Sequence, residues 1–158
     1  MSKSINSKLM ASQMAVAIYA VFIGSQVTEG VLLVPYWQSL SSAAFYDYYA
    51  QFGPLIGRFY TLLTIVASLI PMIVAGMFWL RKRPGARYAL GSAVLAAMVI
   101  ACFYVYFKSA NGHFYAQAFD ELSLQKELIV WSQWHWGRIV LEILSLTFLI
   151  LAFGKNER

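Results

Sequence analysis

Hydrophobic and polar positions alternate along this chain on a long scale. Leu9 to Thr28, Phe59 to Leu80 and Tyr88 to Phe107 are apolar runs without a single charged side chain. Crossing a bilayer core of about 30 Å takes about 20 mostly apolar residues in a helix, and each run supplies them. A fourth run, Trp131 to Phe153, is as long but carries His135, Arg138 and Glu142. The pattern predicts an all-α integral membrane four-helix bundle. It forms a single transmembrane domain over residues 1–158, with spans near 9–33, 56–80, 87–108 and 130–153. The first run follows two lysines, as a signal peptide would. It exceeds the apolar length usual for one and ends at no clear small-residue cleavage site, so it reads as a retained span.

Lysine and arginine placement orients the spans. Lys3 and Lys8 precede the first, Arg81-Lys82-Arg83-Pro84-Gly85-Ala86-Arg87 joins the second to the third, and Lys155 and Arg158 follow the fourth. The other two loops hold Asp47, Asp120, Glu121 and Glu127. Both termini are therefore expected on the cytoplasmic side, with the plasma (cytoplasmic) membrane as the expected location.

In the first outer loop, Phe45, Tyr48, Tyr49 and Phe52 fall at i, i+3, i+4 and i+7. That spacing predicts a short amphipathic helix capped by Ser41 or Ser42, with Pro35 and Pro54 bracketing it and Phe52-Gly53-Pro54 turning the chain into the second span. Such a helix lies in the interface as an anchor or covers a site as a lid. A similar short helix is expected between Ser109 and Lys126.

Composition agrees with a lipid-solvated chain: 60% of residues are hydrophobic and only 12% charged, against roughly 25% charged in a soluble domain. The net charge of +5 is spread over the cytoplasmic segments, and no basic helix, zinc-finger spacing or RNA-binding motif points to nucleic acid. One cysteine, Cys102, excludes an intramolecular disulfide and a CxxC redox motif. Without internal repeats, four helices offer little machinery for alternating access, which disfavours a transporter.

The candidate chemistry lies in the polar residues within the spans, since a charge near a helix centre costs about 2.5–3.5 kcal/mol on insertion scales. Trp131, His135, Arg138 and Glu142 follow one another at +4, +3 and +4, forming one stripe that Ser145 continues. Ser25, Gln26 and Glu29 end the first span, Arg58 begins the second, and Tyr104 and Tyr106 end the third. His135, Arg138 and these residues of the other three spans converge in the outer half of the bundle, with Glu142 near the middle. The spacing allows Arg138 to pair with Glu142, and the topology allows Glu29 to pair with Arg58. Two readings follow. One is a site for an anionic, aromatic or quinone-like ligand, with His135 as acid or base, Arg58 and Arg138 holding negative charge, and Glu29, Trp131 and Glu142 in the ligand-binding shell. The other is a non-catalytic subunit or scaffold, with a membrane-protein partner or a second copy of itself, whose buried charges are structural ion pairs. His135, Glu29 and Glu142 also offer donors for iron or zinc, but no close ligand motif accompanies them and two arginines stand nearby. His113 as a second haem ligand lies far away in a loop. No cofactor is identified.

The run Trp131-Ser132-Gln133-Trp134-His135-Trp136-Gly137-Arg138 is similar to a Trp-x-x-(Trp/Leu)-(Asn/His)-x-x-Arg run that opens the last span in a family of small four-helix membrane proteins. That family includes the fungal anthrone oxygenases. Phe52-Gly53-Pro54 with Arg58 resembles its interfacial segment before the second span. The resemblance implies a four-helix bundle and, in an oxygenase-like member, a cofactor-independent reaction on a lipid-soluble aromatic, with His135 and Arg138 at the catalytic positions. His135 stands where the fungal type more often has asparagine.

Overall fold

The computed structural model describes residues 2–156, with side chains described over 9–155. Lys3 and Lys8 thus lie outside the described side chains, and Arg158 outside the described residues. Eight helical segments make four rods. The first rod is α1 (Ser2–Thr28), a π turn (Glu29–Leu33) and α2 (Val34–Ser39). The second is α3 (Ser42–Leu80). The third is α4 (Ala86–Cys102), a second π turn (Phe103–Phe107) and α5 (Lys108–Tyr115). The fourth is α6 (Glu121–Asn156). Four stretches, Leu9–Ser39, Ser42–Leu80, Ala86–Tyr115 and Glu121–Lys155, are long and apolar enough to cross a membrane. α1 packs on α3 and α6, and α4 on α3 and α6, closing a four-membered bundle. The segment around 81–85 sits at one end, and the α2–α3 and α5–α6 connections at the other, here termed the capped end.

Local sequence explains the breaks. Pro35 sits in the first turn of α2, where its missing N–H is harmless, but its ring crowds the carbonyl four residues back, at Val31. The backbone widens there into the π turn, with Val34 N–H donating to the Glu29 carbonyl. π turns of this kind recur at functional sites. Gly85 lets the segment before α4 press against the Ala152 backbone, where a Cβ would collide. Further along, buried Ser92 and Ser145 donate to each other's carbonyls at 2.7 and 2.9 Å, riveting α4 to α6.

The segment that begins α3 corrects an expectation. Ser41 caps α3 by accepting from Ala44 N–H at 3.4 Å, as its sequence suggests. The chain does not turn at Phe52-Gly53-Pro54, however; α3 runs unbroken for 39 residues with Pro54 and Pro71 inside it. Nor is the aromatic stripe wholly a surface feature. Phe45 and Tyr49 are buried in a cluster with Trp37, Phe107, Phe114 and Trp131, while Phe52 stays 40% exposed. Phe45 stacks on Tyr49 at 5.4 Å, and Trp37 meets Trp131 edge to face at 5.4 Å.

Hydrogen bonds lock this end. The Glu121 carboxylate accepts from Ser42 N–H at 2.7 Å, so the first turn of α6 caps α3 as well. Asp120 Oδ1 accepts from Ser123 N–H at 2.8 Å and caps α6; that bond holds its carboxyl below the ordinary aspartate range. The Tyr46 hydroxyl donates to the Phe119 carbonyl and accepts from Phe119 N–H, clamping the α5–α6 loop. The short helix expected between Ser109 and Lys126 corresponds to α5, which continues the third rod.

Candidate functional site

The polar residues of the first and fourth rods meet. α1 and α6 run antiparallel, bringing Gln26 and Glu29 level with His135 and Arg138. Arg138 Nη2 donates to Gln26 Oε1 at 2.6 Å and to His135 Nδ1 at 2.8 Å. Arginine keeps its protons, so Nδ1 is the acceptor and the imidazole is neutral with its hydrogen on Nε2. That hydrogen is donated to the Gln26 carbonyl at 2.9 Å. Trp131 stacks on the ring at 5.1 Å, and Gly30 leaves room for it, since a Cβ there would stand 3.1 Å from His135 Cδ2. His135 is fully buried, with both nitrogens engaged.

The same guanidinium carries the charge balance. Nη2 lies 3.7 Å from Glu29 Oε2 and Nε lies 3.8 Å from Glu142 Oε1. Both are ion pairs too long for hydrogen bonds. Phe107 presents its ring to the guanidinium at 4.7 Å. Glu29 Oε2, Arg138 Nε and both Glu142 oxygens are sealed from solvent without hydrogen-bond partners. Such orphaned groups are rare in native interiors and call for an explanation. Glu29 Oε1 and Arg138 Nη1, in contrast, are neither bonded nor sealed.

Those two side chains lie at the inner wall of a cavity of about 500 Å³. The second and third rods bound it, Ile56, Tyr60 and Thr64 of α3 on one side and Phe103, Phe107 and Asn111 on the other, while the Tyr60 hydroxyl donates to the Ser25 carbonyl at 3.1 Å. The lining residues of α3 (Gly53, Ile56, Gly57, Tyr60, Thr61, Thr64) repeat at helical spacing and form one face. Trp37, Tyr49 and Trp131 close the capped end, and Lys108 stands at the wall, 5.9 Å from the Tyr104 ring. A concave, mostly apolar space with a few convergent polar groups is what a small-molecule site requires.

Of the polar span residues singled out from sequence, Glu29, Tyr104, Trp131 and Arg138 line this cavity. His135 stands behind Arg138 and does not line it. Glu142 is fully buried one turn further from the capped end. The expected Arg138–Glu142 pair is present; the expected Glu29–Arg58 pair is absent among the described residues. Arg58 is exposed, two residues from Tyr60 and so about 200° around the helix, and it borders a shallow outer groove with Pro54, Leu62 and Tyr115. Glu29 turns to Arg138 instead. Gln26 is a partner to which the sequence assigned no role, although it sits one turn before Glu29 on the same face. Trp37, whose indole N–H has no acceptor, carried no sequence signal.

For a metal, no group of three His, Cys, Asp or Glu among the described residues is arranged to hold one, and both His135 nitrogens are occupied by protein partners. His113, in α5, packs edge-on against Phe119 at 5.5 Å. Comparison with models of protein families, with curated proteins and with solved structures finds no match to this chain.

Proposed function

We propose that this protein binds a lipid-soluble aromatic or quinone-like molecule within the membrane, admitting it sideways between the second and third rods. The observation that carries the reading is the 500 Å³ cavity with Arg138 and Glu29 at its inner wall. An apolar, aromatic-lined space at membrane depth suits a ligand that arrives dissolved in lipid. Arg138 is held aimed by Gln26, His135 and two carboxylates, ready to donate from Nη1 to a carbonyl or to developing negative charge. In this reading His135 positions Arg138 and does not touch the ligand. The similarity of the Trp131–Arg138 run to the anthrone oxygenase family makes oxygenation of such a ring the activity to assay.

The orientation belongs to the same proposal. Arg81, Lys82, Arg83, Arg87 and Lys155 gather at the end opposite the caps, which supports a capped end outside and both termini cytoplasmic. At about 1.5 Å per residue, α3 is about 58 Å long, nearly twice a bilayer core of about 30 Å. Its first turns accordingly sit at the interface.

The competing reading, a non-catalytic subunit with structural ion pairs, has one observation in its favour: His135 is fully enclosed and bonded only to protein. Photolabelling in proteoliposomes separates the two. Benzophenone is expected to label residues 53–65 and 100–115, and Gly57→Phe, which plugs the gap from a position where a Cβ meets nothing nearer than the Tyr115 hydroxyl at 4.0 Å, is expected to abolish that labelling. Uniform labelling indifferent to the plug, together with a stoichiometric protein cross-link in native membranes, would establish the subunit reading.

A further inference from the structure

The polar groups at the inner wall bear on which ligand fits. The positive charge of Arg138 is already opposed by two carboxylates, at 3.7 and 3.8 Å. Both hydrogens of Nη2 are spent on Gln26 and His135. Arg138 therefore has no spare positive charge for an anion, and the other cation of the lining, Lys108, lies over the Tyr104 ring at 5.9 Å. Nor does the pair suit a cation: the Glu29 charge is faced by Arg138, and Lys108 adds a second positive charge to the lining. On this ion pair itself, one donor, Arg138 Nη1, and one acceptor, Glu29 Oε1, remain without partners. Around them the wall is aromatic, from Trp37, Phe107 and Trp131.

We infer that the cavity selects an uncharged ring bearing a hydroxyl group at its edge, the hydroxyl donating its hydrogen to Glu29 Oε1 and its oxygen accepting one from Arg138 Nη1. This deepens the binding reading and rests on it. A group that both donates and accepts satisfies the pair without altering its charge. An ionised ligand leaves either the carboxylate or the guanidinium facing its own sign in a medium of low dielectric, where like charges interact strongly. A ring without polar atoms strips water from Glu29 and Arg138 and returns nothing. Discrimination of this kind, in which a site's polar groups go unpaired with the wrong ligand, is the strongest a pocket achieves.

Four probes of one shape test the inference: naphthalene, 1-naphthol, 1-naphthoate and the 1-naphthylmethylammonium ion. Their binding to the full chain in nanodiscs is measured by equilibrium dialysis against empty nanodiscs of the same lipid, which subtracts partitioning. 1-Naphthol is expected to bind about tenfold or more tighter than each of the others. Glu29→Gln, which keeps shape and removes the charge, should narrow the gap between 1-naphthol and 1-naphthoate by about tenfold. A Glu29 that only held the fold would weaken all four probes together. Preference for either ion in the wild type, or an unchanged gap between 1-naphthol and 1-naphthoate in Glu29→Gln, overturns the inference while leaving the cavity reading intact. Absence of saturable binding by any of the four overturns both.

Discussion

Replacing Arg138 by methionine, which is similar in length and uncharged, probes the most heavily connected side chain in the bundle. The change removes the bonds to Gln26 Oε1 and His135 Nδ1 and the contact with Phe107. It also strands Glu29 and Glu142, 4% and 0% exposed, without a counter-charge. Removing one partner from a buried ionic set costs about 3–5 kcal/mol, most of it from the charge left behind. Replacing the whole set by neutral groups of like volume is often close to neutral. The triple variant Arg138→Met, Glu29→Gln, Glu142→Gln should therefore recover most of the loss. Unfolding followed by tryptophan fluorescence in a fixed lipid-detergent mixture gives both differences, and the double variant Glu29→Gln, Glu142→Gln closes the cycle whose non-additivity measures the coupling. A single variant within about 1 kcal/mol of wild type, or a triple variant no better than the single, would refute the assignment of Arg138 as the charge that lets two carboxylates sit buried inside the bundle.

Further expectations concern the frame around the site. Gly30→Ala places a Cβ 3.1 Å from His135 and Trp136 and should cost about 1–3 kcal/mol by overpacking. Gly24→Ala, one turn and a half earlier with nothing within 4 Å, should gain about 0.5–1 kcal/mol; equal effects in thermal melts would contradict the close approach at Gly30. A double-mutant cycle with Ser92→Ala and Ser145→Ala should return a coupling of about 0.6–1.7 kcal/mol, the range for hydrogen bonds between membrane helices. Asp120, its carboxyl depressed in the folded state by the Ser123 N–H bond, stabilises α6 above the ordinary aspartate value, and that contribution is lost as pH falls through the depressed one. Asp120→Asn, which caps without a charge, should flatten this part of the acid melting profile, as read by helix content between pH 2 and about 5.

Much of the architecture was written in the hydropathy. Uncharged runs of membrane length leave little choice but helices, because lipid offers no partner for an open backbone. The polar stripe of the fourth rod was equally legible: its +4, +3, +4 spacing places Trp131, His135, Arg138 and Glu142 on one face whatever surrounds it. What spacing within a helix does not reveal is which neighbour that face meets. Glu29 had two arginines within topological reach, and the choice of Arg138 over Arg58 depends on how far each helix is rotated about its axis. Rotation is set by packing of Trp37, Phe45, Tyr49 and Phe114 across rods, a long-range matter. Pro54 misled for a related reason. A proline with glycine before it reads as a turn, yet the lost N–H bond is tolerated inside α3, where the rest of a 39-residue helix holds the backbone. The π turn at Glu29 and the gap between α3 and the third rod arise from these same tertiary fits.

Native mass spectrometry of the protein released directly from its own membrane, wild type beside Gly57→Phe, tests the central claim most directly. The account predicts a small lipid-soluble molecule of defined mass on the wild type and its loss from the plugged variant, with both chains folded. Identical spectra from the two forms, whether bare, equally loaded or carrying only a protein partner, would contradict it.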